Sequence, residues 1–202
     1  MRYPKGYVGR DHETIGSDIL AVLAILKMPE HVLGAEEVAK LTAVDPAKWY
    51  PVEWLIELMD KIDRHVGHYG LLRMGRMLFK LSHEEKARGT LKSARDLIYA
   101  LDGMYHRANR GVGIGGWKVL KFEQGYAELE KTTPHHCAME QGILSAAFSV
   151  VGCPVMVSQR ECFRAGASAC LYTLTSSVTD ERWSGPNAAD DRRAQNVGER
   201  PS

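Results

Sequence analysis

Three cysteines, Cys137, Cys162 and Cys170, are the residues of this chain best suited to act together. They lie in the run PHHCAMEQGILSAAFSVVGCPVMVSQRECFRAGASACLYTLT, and Glu161 directly precedes the middle one. Twenty-five residues separate the first pair in number and eight the second. The first cysteine opens a predicted amphipathic helix, and the other two flank a Gly-containing turn between strand-like runs. A helix followed by a hairpin can bring three such thiols to one point. Thiolates joined by a carboxylate or an amide form a tetrahedral cage that suits zinc. Such a site is closed and linked to folding rather than catalytic. Cys137 at a helix start also has its thiolate favoured by the helix dipole. Nucleophilic catalysis would need a base with a partner to orient it, and no convincing pair is present.

The neighbouring motifs say less. His135 and His136 stand beside Cys137, but adjacent helical residues point about a quarter-turn apart and rarely ligate one ion together. Cys153 reads as a small buried hydrophobe. The run RGVGIGG contains a literal G-x-G-x-x-G at Gly111, Gly113 and Gly116. A dinucleotide site needs that turn after a strand and before a helix. Here the predicted context is reversed, so the run reads as a helix-to-strand connection. Paired carboxylates such as Glu36-Glu37 and Glu84-Glu85 read as solvated faces.

The elements that must position the cysteines follow from periodicity. Residues 17–28 are apolar nearly all round and predict a buried helix before Pro29. A short helix is expected from Gly34 to Ala43. Trp54, Leu55, Leu58, Ile62 and Val66 fall at helical spacing after Pro51, up to Gly67 and Gly70, where a further helix starts. A long helix is predicted from about Glu84 to Ala108. Beyond the glycine run, WKVLKF and YAELEK alternate about Gln124-Gly125, a hairpin signal. A helix from Pro134 to about Val151 leads to two more strands, PVMVSQREC and ACLYTLT. Helices first, then strand, strand, helix, strand, strand, make an α+β domain: N-terminal helices on a four-stranded antiparallel sheet, with a helix between the two hairpins. One domain over residues 1–175 is expected, with a disordered tail over 176–202, which is poor in apolar groups.

The bulk numbers narrow the partners. With 202 residues, Lys and Arg total 26 against 25 Asp and Glu, a formal net charge of +1. That balance offers no footprint for nucleic acid or an anionic membrane. The N-terminal residues lack the apolar stretch of a secretory signal, and a cytoplasmic location with reduced thiols is expected.

Cys137, Gly142, Gly152, Glu161-Cys162, Gly166 and Cys170 with an aromatic after it resemble the vinyl-4-reductase (4VR) domain family over about residues 110–175. The family includes the sensory part of aromatic-responsive activators, and its fold is shared with TRAPP subunits and, more distantly, with haem-based nitric-oxide sensors. The resemblance implies a structural zinc held by Cys137, Cys162 and Cys170. It places Gln159 where the sensors have a glutamate, so Gln159 or Glu161 is left to complete the set. It also implies a pocket for a small hydrophobic or aromatic ligand, with Trp117, Phe122, Tyr126 and Phe148 as walls. Output would pass through a homodimer or an unidentified protein partner. A role as enzyme or accessory in tetrapyrrole vinyl reduction, a structural interaction role, and haem-based gas sensing are the alternatives. The haem sensors' Tyr-x-Ser-x-Arg signature is absent, and His106 alone stands for an axial ligand.

Overall fold

A computed structural model describes residues 3–7, 9 and 11–185. The chain opens with a strand, β1 (Glu13–Ile15), and three short helices, α1 (Gly16–Ala24), α2 (Pro29–Leu33) and α3 (Ala35–Thr42). A second short strand, β2 (Trp49–Pro51), leads into α4 (Val52–Ser82), then α5 (Glu84–Thr90) and α6 (Ala94–Ala108). Strands β3 (Asn109–Arg110), β4 (Trp117–Glu123) and β5 (Tyr126–Lys131) precede α7 (Cys137–Val150), and β6 (Met156–Glu161), β7 (Cys170–Thr175) and α8 (Glu181–Ser184) close the described chain. No described helix is long and apolar enough to cross a membrane.

The expected α+β order is present. β4, β5, β7 and β6 form an antiparallel sheet in that spatial order, with α7 between the two hairpins in sequence. Gly125, at φ +69°, supplies the left-handed residue of the β4–β5 turn, and Glu123 faces Tyr126 across it. A second, three-stranded sheet in the order β2-β1-β3 was not expected. Its strands are two or three residues long, too short to show alternation.

Two helical expectations change in detail. α4 carries a break at Gly67 (φ +65°), so the two predicted helices meet there without an intervening loop. The single helix expected from Glu84 to Ala108 is two. The first ends at Thr90, and Ser93 caps α6, its hydroxyl accepting from the Asp96 amide at 3.1 Å, an N-cap arrangement that the Ser-x-x-Asp spacing encodes.

α7 lies against both layers. Its sheet-facing side joins Phe148, Leu144 and Cys137 to Leu129, Tyr172 and Leu174. Its other side joins Ala138 and Met139 to Leu55, Met59, Ile62 and Leu71 of α4 and to Ile19 and Val22 of α1. Where α7 crosses α4 the contact is backbone on backbone. A Cβ on Gly75 would lie 2.0 Å from the Met139 carbonyl oxygen, and one on Gly142 would lie 2.0 Å from that of Leu72.

The disordered tail expected from Ser176 is corrected over the described residues. Residues 176–185 pack on the domain, and Trp183 is wholly buried, stacked on Phe122 at 5.4 Å with its indole N–H donating to the Glu123 carbonyl at 2.7 Å. One tryptophan in a polar stretch is enough to anchor it. Residues 186–202 of the expected tail lie outside the described residues.

Candidate functional site

Cys137 is the first residue of α7, and the His136 imidazole caps that helix, its Nδ1 accepting from the Ala138 amide at 3.3 Å. Cys170 begins β7, directly opposite Lys131 at the end of β5. Cys162 follows β6 and opens a single 3-10 turn, Phe163–Ala165, that Gly166 closes at φ +110°. These three ends converge. Cys137 Sγ lies 3.4 Å from Cys162 Sγ and 3.3 Å from Cys170 Sγ, and all three sulfurs fall within 4.8 Å of one another. Cys137 and Cys170 are buried and Cys162 is half-buried, while Cys153 is buried elsewhere.

A residue outside the expected ligand set completes the cluster. Lys131 is wholly buried. Its Nζ donates to the His135 carbonyl at 2.6 Å, stands 2.7 Å from Glu140 Oε2 and lies 3.8 Å from Cys137 Sγ. Glu140, also buried, accepts from the Thr133 hydroxyl at 2.9 Å through its other oxygen. An ammonium taken out of water needs such partners to stay charged. Burial works against the Lys131 charge, but Glu140 and the thiols outweigh it and hold the pKa above its ordinary value. The cluster's negative charge rests on Cys137. The hydrogen bond with Cys170, then Lys131, Cys162 and Gln159, hold its pKa well below the usual thiol range against the cost of burial. Cys170, as the donor, is pushed upward.

The other predicted ligands divide. Gln159 sits on the inner face of β6 beside the thiols, and its Oε1 accepts from the Gln141 amide at 3.3 Å. Glu161 is exposed and does not join the cluster, because a register irregularity between Gln159 and Glu161 leaves it turned to solvent.

The predicted pocket walls do not enclose a cavity together. Trp117 is half-buried and leans on Tyr172 at 5.8 Å. Phe122 and Phe148 pack on Trp183 in the filled core. Tyr126 occupies the opposite sheet face, hydrogen-bonded to Glu128 and 5.5 Å from the Lys121 ammonium. Alternation alone puts it there, since Ala127, Leu129 and Lys131 take the inner positions.

A cavity of about 80 Å³ opens elsewhere, between α1, both segments of α4 and α7. Its walls include Val22, Leu55, Met59, Leu78, Met139 and Ile143, and five polar residues reach it: Asp18, Ser82, His83, His135 and Glu140. Burial raises the Asp18 carboxyl to about 6. Burial, reinforced by the Lys131 ammonium, lowers His135 to about 3, so that ring is neutral. His83 is lowered too, by burial and then by Lys86 and Arg107. An apolar hollow with several displaced titratable groups is the usual appearance of a binding site. No spacing in the sequence signals it, since Asp18 and His135 meet only through tertiary packing.

The glycine run is structural. A Cβ on Gly115 would lie 2.0 Å from the Thr132 carbonyl oxygen, and the run follows α6 and precedes β4. The dinucleotide reading is excluded by that context.

No family model matches the sequence, and no curated protein matches it. Solved structures do. An H-NOX protein from S. oneidensis in the Fe(II)NO ligation state superposes with a TM-score of 0.61 at 14% identity, covering 81% of this chain and 99% of that one. The Fe(II) unliganded H-NOX protein from K. algicida gives 0.59 at 10% identity, over 81% and 97%. A structure from work on heme distortion in the H-NOX family gives 0.60 at 11%, over 81% and 93%. The fold is H-NOX-like.

The zinc expected from the sequence is corrected by these H-NOX neighbours, which are described with iron or heme. The three thiols stand close enough together to hold an ion, but the set lacks a strong fourth donor: Glu161 faces solvent, and Gln159 offers only an amide. Nor does this cavity fit the heme of the H-NOX family. The cavity holds about 80 Å³, whereas pockets for drug-sized ligands span roughly 300–1,000 Å³ and a porphyrin needs no less. His106 does not line it; its side chain is 43% exposed and lies 3.5 Å from Asp102.

Proposed function

We propose that this chain is a small-molecule sensory module in which the cavity between α1, α4 and α7 receives the ligand and α7 relays its presence to the thiol cluster. The observation that carries this reading is the double position of Glu140. It lines the cavity, and it pairs at 2.7 Å with Lys131, whose ammonium stands 3.8 Å from Cys137 Sγ. A molecule that changes the field at Glu140 therefore changes it at the thiolate. Sensing is also the reading that agrees with the fold, since a neighbour with this architecture is described in an NO-ligated state. The 4VR resemblance is a finer form of it and rests on Cys137, Gln159, Cys162 and Cys170. A flat tetrapyrrole substrate, by contrast, asks for far more room than about 80 Å³.

Output passes to a second copy or another protein. Tyr69, Met77 and Leu81, on the second segment of α4, expose 82%, 43% and 68% of their surface and offer apolar contact for it.

Methyl NMR on Met59 and Met139 tests the reading with a panel of fragments of about three to five heavy atoms, the size such a cavity admits. At least one fragment should move both signals in wild type and also perturb the Cys137 thiol, and Glu140→Gln should abolish the second effect alone. A folded protein in which no fragment moves Met59 or Met139 would refute it.

A further inference from the structure

The cavity's polar groups are unequal in what they lack. Glu140 Oε1 accepts from Thr133, and Oε2, though without a hydrogen bond, is paired with the Lys131 ammonium at 2.7 Å. His135 turns Nδ1 toward Glu140 Oε1 at 3.7 Å, and its Nε2 is buried without a partner. With the ring proton on the nitrogen that faces the carboxylate, Nε2 presents a lone pair. Asp18, on the α1 side, has no hydrogen bond or ion pair to any described residue, and burial alone displaces its carboxyl. The hollow thus offers two unmatched acceptors, one of them anionic, in walls that also carry Ser82 and His83 beside the apolar Val22, Leu55, Met59 and Ile143.

A half-buried carboxylate without a protein partner and an orphaned imidazole nitrogen each carry a desolvation cost that a donor relieves. A second carboxylate or a phosphate would repel Asp18, and a purely apolar guest would leave both acceptors unmet. A small alcohol can donate once. A primary ammonium donates three times and brings the missing positive charge. Volume sets the upper size: an engineered apolar cavity of about 150 Å³ takes benzene, so about 80 Å³ suits three to five heavy atoms.

We propose that the cavity is a binding site for a short-chain primary ammonium ion, its N–H groups donating to the Asp18 carboxylate and to His135 Nε2 and its alkyl end resting on Val22, Leu55 and Met59. This deepens the sensory reading and rests on it.

The test compares ethylammonium chloride with ethanol, which has the same number of heavy atoms, by titration against the Met59 and Met139 methyl signals of the full chain at constant ionic strength. Ethylammonium should bind in the millimolar range that ligands of this size reach, and ethanol at least about tenfold more weakly, the discrimination expected of an unpaired, half-buried charge. Asp18→Asn, nearly isosteric, should erase that preference while the protein still melts cooperatively. Ala21→Leu, which fills the hollow, should abolish both titrations. Equal binding of the two probes, or a preference that survives Asp18→Asn, overturns the ammonium assignment and leaves the cavity a site for some other small molecule. Silence of both methyl signals toward ethylammonium also overturns it. Silence toward the wider fragment panel as well removes the sensory reading with it.

Discussion

Replacing Lys131 by methionine keeps the length of the side chain and deletes its charge. At 2.7 Å and an effective dielectric constant of about 20, the gross attraction between Lys131 and Glu140 is about 6 kcal/mol. The net effect is smaller, because both ions were desolvated to make it; removing one member of a buried pair costs about 3–5 kcal/mol. For a chain of this size that is a fall in Tm of roughly 6–20 °C. The loss depends on pH in a defined direction. With Lys131 gone, burial raises the Glu140 carboxyl further, so its ionisation is penalised in the folded state. The penalty is absent below the unfolded carboxylate range and grows as pH rises through the folded pKa. Urea unfolding of wild type, Lys131→Met, Glu140→Gln and the double variant, at pH 5 and pH 8, measures this. The deficit of Lys131→Met should be larger at pH 8, and the double variant should be more stable than Lys131→Met alone, because no unpaired ion is left. A cost below about 1 kcal/mol, or a double variant that simply sums the singles, would refute the reasoning.

Asp18→Asn should stabilise the protein at neutral pH by about 1–3 kcal/mol, since a carboxyl raised to about 6 costs folding free energy once it ionises. The gain should vanish below about pH 4, where both states of the wild type are protonated; His135, lowered to about 3, acts oppositely, costing stability as pH falls below its unfolded value near 6.5, so His135→Gln should flatten the acid limb of a stability–pH curve. Trp183→Ala should lose about 3–5 kcal/mol in equilibrium unfolding, the usual cost for a buried aromatic, whereas a solvated tail would lose nothing. Gly142→Ala should cost at least about 1–3 kcal/mol by overpacking and shift the Met139 signal, because its Cβ has only backbone to displace.

What could be read in the sequence, and what could not, follows the range of each interaction. The hairpin at Gln124-Gly125, the α7 run and the meeting of Cys137, Cys162 and Cys170 arise from local periodicity and turn chemistry, and these were legible. Lys131 is legible too: alternation through Ala127 and Leu129 puts it on the inner face, where a lysine requires a counter-ion. The break at Ser93 was encoded by its Ser-x-x-Asp spacing and hidden by the helical pattern on either side. The cavity was not legible. Asp18, Ser82 and His135 are each ordinary in their own segments, and only the packing of α1 and α4 on α7 gives them a common hollow. The aromatic walls failed for the opposite reason. Size and position made Phe122 and Phe148 plausible, but Trp183, beyond the expected domain, fills the space between them.

The glycine crossing gives α7 the mechanics of a balance beam. Gly142 rests on the α4 backbone with no side chain between, so this crossing is the point about which any tilt of α7 would turn. At a rise of about 1.5 Å per residue, Cys137 sits roughly 7.5 Å from that fulcrum and Val150 roughly 12 Å on the other arm. A guest that tips the helix by about 5° would carry the Cys137 end about 0.7 Å on that geometry. Sulfurs in contact at 3.3 and 3.4 Å would register such a stroke.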